Sequence, residues 1–188
     1  MTISDLANAS AQELADTFAA SPTFVGCRNS DDGVRIDVAI ADAGPDERLA
    51  SLGTVTLADH DLGFGDTRLQ IVAVYPRAAA DFSRVIGTCA LSIVERGWPL
   101  RWGAVHPDVL TLYGLSSTLA HVYYMPPFSW AEGPKGLSVG DQRIEWLQAI
   151  PISEAERAFA ETNGAEALEA LLVGADIDIT DLDRASVA

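Results

Sequence analysis

Apolar residues along the chain recur with period two in some stretches and with the 3.6-residue period of a helix in others. The switches between the two mark the elements. In VRIDVAIAD, residues 34–42, Val34, Ile36, Val38 and Ile40 alternate with Arg35, Asp37 and Ala39, which predicts a strand with one buried face. LASLGTVTLA (49–58) predicts a second strand and TRLQIVAVYP (67–76) a third, ended by Pro76. ADHDLGFGDT between them carries the glycine and aspartate of a hairpin loop. Upstream, ASAQELADTFAA (9–20) spaces Leu14 and Phe18 as a helix does, and Ser10 with Glu13 has capping-box spacing. SPTFVGCRNSDDG (21–33) reads as turn.

After Pro76 the period lengthens. AAADFSRVIGTCALSIVERG (78–97) sets Phe82, Val85, Ile86, Cys89, Ile93 and Val94 on one helical stripe, with Gly97 as the stop and Pro99 barring resumption. GWPLRWGAVHPDVL (97–110) reads as a loop, LAHVYYMPPF (119–128) as a strand, and SWAEGPKGLSVGDQ (129–142) as a glycine-rich loop. RIEWLQAIP (143–151) is a strand that Pro151 is expected to end, because proline offers no ladder donor. Ser153 and Glu156 then form a capping box, with Ala155, Ala158, Phe159 and Thr162 facing inward and Asn163-Gly164 closing the helix. Leu168, Leu171 and Leu172 seat a second short helix that ends near Gly174.

The sum is an α+β domain: a largely antiparallel sheet packed with one long central helix and two short C-terminal helices. No repeat or linker divides it, so residues 1–188 are read as one domain, with 1–30 an N-terminal helix and loop. At this length about 70% of the unfolded surface can be buried, and a 48% hydrophobic content rules out disorder. No apolar run approaches the roughly 18 residues of a membrane span, and the acidic start MTISDLANASAQELADTF is unlike a signal peptide. A cytoplasmic location is expected. Cys27 and Cys89 form no CxxC pair and so no zinc or disulfide framework.

Charge narrows the partners. Twelve Lys and Arg against 27 Asp and Glu leave −15, a field that repels phosphate backbones and excludes nucleic acid. From Ser153 to Ala188, five Glu and four Asp face only Arg157 and Arg184, a net of −7. Two readings stay open for that run: a solvated face, or a docking surface for a basic partner centred on residues such as Glu161, Glu166 and Asp178. Asp176, Asp178, Asp181 and Asp183 do not make a calcium loop, since Asp181 stands where the loop needs glycine and Val187 where it needs glutamate.

The chain carries no nucleophile elbow, no H-E-x-x-H, no Walker loop and no complete G-x-G-x-x-G. No catalytic, cofactor or metal residues are assigned. The one alternative is a small metal-dependent hydrolase built on His60, Asp61 and Asp66, which lie in a stretch that also suits a polar turn. His121 sits in an apolar strand and is expected to be a satisfied core or edge residue; His106 is expected to hold its loop. Trp98, Trp102 and Trp130 suit either an interface or the rim of a core.

IEWLQAIPISEAERAFAETNGAEALEALL (144–172) resembles a run of the Suppressor-of-fused (SUFU) domain family: a strand, an I-P segment, a glutamate-rich helix with an aromatic, and an N/H-G-A-E/D-A-L helix. The tail ITDLDRASV and the W-G-x-x-x-P loop in GWPLRWGAVHP, with the strand ending P-P in LAHVYYMPPF, are similar to further family stretches. The resemblance covers roughly residues 34–187. It implies an α+β binding domain without catalytic machinery. Bacterial single-domain members are associated with polymorphic toxin systems as immunity proteins, so the implied partner is another protein, a basic toxin domain. The eukaryotic namesake has a second domain and restrains a transcription factor in Hedgehog signalling, an activity not expected of this chain.

Overall fold

The computed structural model describes residues 3–30 and 33–188. Among these residues the chain runs α1 (Asp5–Phe18), β1 (Thr23–Arg28), β2 (Arg35–Ala41), β3 (Leu49–Thr54), β4 (Thr67–Pro76), α2 (Phe82–Arg96), β5 (Val105–His106), β6 (Leu119–Met125), β7 (Leu137–Val139), β8 (Gln142–Ser153), α3 (Glu154–Asn163) and α4 (Ala165–Gly174). The strands form one sheet in the order β1-β2-β3-β4-β8-β6-β5, with β7 paired to the start of β8. Every strand pair is antiparallel except β4 with β8, whose parallel register runs from Thr67 opposite Arg143 to Val72 opposite Gln148.

The alternation of β8 divides the molecule. Leu147 and Ala149 point to one face, where they join Ile36, Leu52, Ile71 and Tyr124 beneath the α2 stripe of Phe82, Val85, Ile86 and Cys89. Ile144 and Trp146 point to the other face under α1, with Leu14, Phe18 and Val72. Further along that same face, Ile150 and Ile152 pack with Tyr123, Leu168 and Leu172 beneath α3 and α4. One strand therefore seats α1 at its beginning and the C-terminal helices at its end.

Several expectations from the sequence need correction. Residues 21–33 are not all turn: Thr23–Arg28 is a strand, and Asp31 and Asp32 lie outside the described residues. This strand hides because most of its side chains are exposed, so no buried face imposes an alternation. Ser10 and Glu13 do not cap α1. Ser4 does, accepting from the Ala7 amide at 2.9 Å. Ser10 is buried and accepts from Gln70 Nε2 at 2.8 Å, while Glu13 accepts from the Lys135 amide at 2.6 Å. The loop 129–142 contains β7. The long central helix is not alone in its length, with 15 residues in α2 against 14 in α1.

Pro151 does not end its strand. It is registered opposite Val122, and β8 continues to Ser153. The Pro151 carbonyl accepts from Arg184 Nη2 at 3.0 Å, on a side where the pairing with β4 has already stopped at Gln148. A residue's N–H and C=O point the same way from a strand, so the donor that proline lacks has no ladder partner to lose.

Close approach fixes where α2 lies. A Cβ placed on Gly87 would sit 2.3 Å from the Cys27 sulfur of β1. Gly87→Ala would ordinarily stabilise a helix by about 1 kcal/mol; here it is expected to destabilise by about 1–3 kcal/mol through overpacking. Urea unfolding midpoints check this, and the cost is expected to shrink in a Cys27→Ala background.

Candidate functional site

Among the described residues no group of three or more His, Cys, Asp or Glu is gathered where it could hold a metal ion. Asp61 accepts from the Gly63 amide at 2.9 Å and lies 3.7 Å from Arg68, and Asp59 accepts from the Ser4 hydroxyl at 2.5 Å. These are the contacts of a turn and a helix cap. His121 is buried; the Asp108 amide donates to its Nδ1 at 2.9 Å, which leaves Nε2 to donate to Glu154 at 2.8 Å. His106 is stacked on Trp98 with ring centroids 4.4 Å apart, and burial pushes its pKa down to about 4, with Arg96 adding to the shift. Trp130 packs on Phe18 and donates to Ser51, whereas Trp102 stays 45% exposed and donates to Glu169.

The C-terminal segment is built on a cap. Ser153 accepts from the Glu156 amide at 3.1 Å, and Glu156 accepts from the Ser153 amide at 2.9 Å, the reciprocal box its spacing predicts. The inward face of α3 is only in part the one expected: Phe159 packs against the Ile150–Leu168 cluster, but Ala155, Ala158 and Thr162 are exposed, and Glu156 is its fully buried residue. The reason is Arg184, which returns from the tail and donates to both Glu156 oxygens at 2.6 and 2.8 Å and to the Pro151 carbonyl. The Val187 amide also donates to Glu156, at 3.1 Å. Burial pushes the Glu156 carboxyl up, but these donors outweigh it and hold the group below the usual carboxylate range.

This closure leaves the exterior anionic. Arg184 is spent on Glu156, and Arg157 donates to Glu154 at 2.6 and 2.8 Å and to Glu161. Thus both cations of the segment are neutralised within it. Of the nominated partner residues, Glu161 is exposed on α3 beside Arg157, Glu166 is exposed in the first turn of α4, and Asp178 lies in the tail beyond α4. Asp178 accepts from the Thr180 amide and hydroxyl at 2.8 and 2.6 Å.

Asp178 borders a groove between the tail and the sheet. One cavity of about 390 Å³ lies among Leu49, Val74, Phe128, Asp178, Ile179 and Asp181; a second, of about 200 Å³, lies among Phe128, Glu169, Val173, Asp176, Ile177 and Ile179. Phe128 and Ile179 line both, so the two cavities are neighbours along the tail. Phe128 is 52% exposed and Val173 77% exposed. Reasoning from the sequence missed this groove, although Ile177 and Ile179 alternate with Asp176 and Asp178 in ADIDIT, the pattern of an extended segment with one apolar side.

The family model described as "Suppressor of fused protein (SUFU)" matches residues 32–185. The chain belongs to the Suppressor of fused family. Its sequence is 29% identical over 181 residues to immunity protein YqcF of Bacillus subtilis (strain 168), covering 94% of each chain. Its fold is similar to that of a putative SUFU homologue from Neisseria gonorrhoeae FA 1090, with a TM-score of 0.66 at 17% identity over 98% of this chain and 97% of that one. It also resembles a chain of the Sufu-Fu complex, with a TM-score of 0.69 at 11% identity and coverage of 97% and 92%. Against Drosophila Suppressor of Fused the TM-score is 0.64 at 11% identity, over 94% of this chain and 50% of that protein. Both members of the Glu156–Arg184 pair lie inside the matched residues of this SUFU chain.

Removing Arg184 would strand a buried carboxylate, so Arg184→Met is expected to cost about 3–5 kcal/mol in chemical denaturation, with a smaller loss when Glu156→Gln accompanies it. Acid is expected to remove stability in two stages. His106 titrates at about 6.5 when unfolded and near 4 when folded, so protons favour the unfolded chain as pH falls through that window. The Glu156 contribution is full above its unfolded pKa and is lost as pH falls through the lower folded value. Denaturation midpoints measured from pH 8 to 3 check both, with His106→Phe flattening the first stage only.

Proposed function

We propose that this chain is an immunity-type protein: a binder that performs no covalent chemistry and neutralises a cognate toxin by occupying it. The observation that carries this reading is the 29% identity, across 94% of both chains, to a protein named immunity protein YqcF. The Sufu-Fu complex supports it, since there a protein of this fold is seen in assembly with another protein. The anionic C-terminal face supports a partner of opposite charge, because complementary fields raise encounter rates and suppress wrong pairings. A basic toxin domain acting in the cytoplasm suits that field. Among the described residues no helix is long and apolar enough to cross a membrane.

The test is co-expression. The reading frame adjacent to this chain's gene is placed under inducible control in a bacterial host, with and without the chain. Growth arrest that the chain relieves, together with co-elution of the two proteins on size exclusion, is the expected result. His60→Ala is expected to protect as well as the parent chain. Loss of protection in His60→Ala with folding intact would instead favour chemistry at that turn, and arrest that the chain does not relieve would count against the reading.

A further inference from the structure

We infer that the groove between the tail and the sheet is the docking slot for the partner, and that it takes an apolar side chain flanked by lysine or arginine on the partner's surface. This rests on the binding function proposed above and names the contact within it. Three observations meet there. The floor is apolar and held in place: the Phe128 and Ser129 amides donate to the buried Gln148 carboxamide oxygen at 3.0 and 3.2 Å, so an exposed ring is presented from a fixed backbone. An aromatic that needs no ordering on binding is a strong anchor.

The rim is predominantly acidic. Asp176, Asp178, Asp181 and Glu169 border the two cavities. Arg48 also lines the first cavity; it is engaged by Asp46 at 3.1 and 3.4 Å, and the Thr180 hydrogen bond, helped by the Arg48 charge, holds the Asp178 carboxyl below the usual range. The carboxylates are not gathered for a metal ion. They are spread along the chain and tied to local donors, Asp178 to Thr180, Asp181 to the Asp183 amide at 2.9 Å, and Glu169 to Trp102 and Tyr123. A carboxylate has about four acceptor sites, so each retains capacity for an incoming ammonium or guanidinium.

A cavity of about 260 Å³ among Leu62, Phe64, Trp98 and Leu100 carries a single carboxylate, Asp61, and two other concave places mix charges or lack acids. The cavity of about 430 Å³ beside α1 mixes Arg35 with Asp37 and Asp59, and the hollow of about 350 Å³ at Phe64 and Trp102 is bordered by Arg101. An apolar centre within a polar, predominantly acidic rim is the anatomy of a protein interface, with the charge setting orientation and the buried side chain setting residence.

The experiment has two arms. In the first, three short synthetic peptides are titrated into the folded chain and followed by NMR: leucine flanked by lysines, alanine flanked by lysines, and leucine flanked by glutamates. The lysine–leucine peptide is expected to shift the resonances of Phe128, Ile177 and Ile179. Its affinity is expected to fall by about tenfold with the alanine peptide or in Phe128→Ser, and the glutamate peptide is expected not to bind. Asp178→Asn with Asp181→Asn, which keeps the acceptor oxygens, is expected to weaken it with the fold unchanged. Shifts centred on Glu161 and Glu166, or binding indifferent to Phe128→Ser and to Val173→Ser, would overturn the inference. In the second arm the same variants enter the co-expression assay. Protection that survives all of them sinks the groove while leaving the immunity reading intact; peptide binding at the groove with no toxin neutralised sinks that reading and leaves the groove.

Discussion

A carboxylate and a guanidinium buried together hold the C-terminal fifth of this molecule in place. Glu156 is wholly enclosed, and Arg184 reaches it from 28 positions further along the chain. Isolated, either charge would cost several kcal/mol to bury. Paired, they close a small circuit in which the Ser153 and Val187 amides and the Pro151 carbonyl take part. The end of β8, the start of α3 and the tail thus meet at one point. The tail turns back because of that point, and the groove exists because the tail turns back. One donor of the guanidinium, Nε, has no partner among the described residues, so the circuit is not fully satisfied. Its value lies more in fixing the tail's path than in net stability, since hydrophobic substitutes for such pairs are often as stable.

Two buried glutamines do comparable work on the same side of the sheet. Gln70 donates to Ser10 and to the Val55 carbonyl and accepts from Thr54, which seats α1. Gln148 sits between the two apolar clusters of that face and ties down the Phe128–Ser129 segment. Polar groups with no alternative partner specify position more sharply than apolar contacts, which tolerate sliding. The sheet gives both helix layers their platform, and these side chains decide where on it each layer rests.

How much of this was legible in the sequence follows from which forces leave a local trace. Strand β2 and helix α2 bury one side against the core, so Val34 to Ile40 and Phe82 to Ile93 display the period of their element. The capping box of Ser153 and Glu156 is local and was equally readable. Strand β1 buries little and shows no period. Ser10 looked like a cap because a serine before a helical stripe usually is one; its true partner is Gln70, 60 residues away. Arg184 gave no sign of its burial, because a lone arginine among aspartates looks solvated until the fold supplies Glu156. The nominated acids Glu161, Glu166 and Asp178 were chosen for charge alone, and only Asp178 borders the groove. Its apolar floor comes from Phe128 and from Ile177 and Ile179, about 50 residues apart in the chain.

The outer margin of the sheet has a consequence of its own. Strand β1 is the edge of the sheet among the described residues, and its six residues carry a single charge, Arg28, and no proline, lysine or bulge, devices that discourage strand-to-strand sticking. Phe24 and Val25 lie exposed upon it. A net charge of −15 supplies long-range repulsion between copies of such a molecule. Colloidal behaviour should therefore follow ionic strength: dilute buffer preserves dispersion, and concentrated salt, which shortens the reach of that repulsion to about 3 Å at 1 M, invites the margins to zip together.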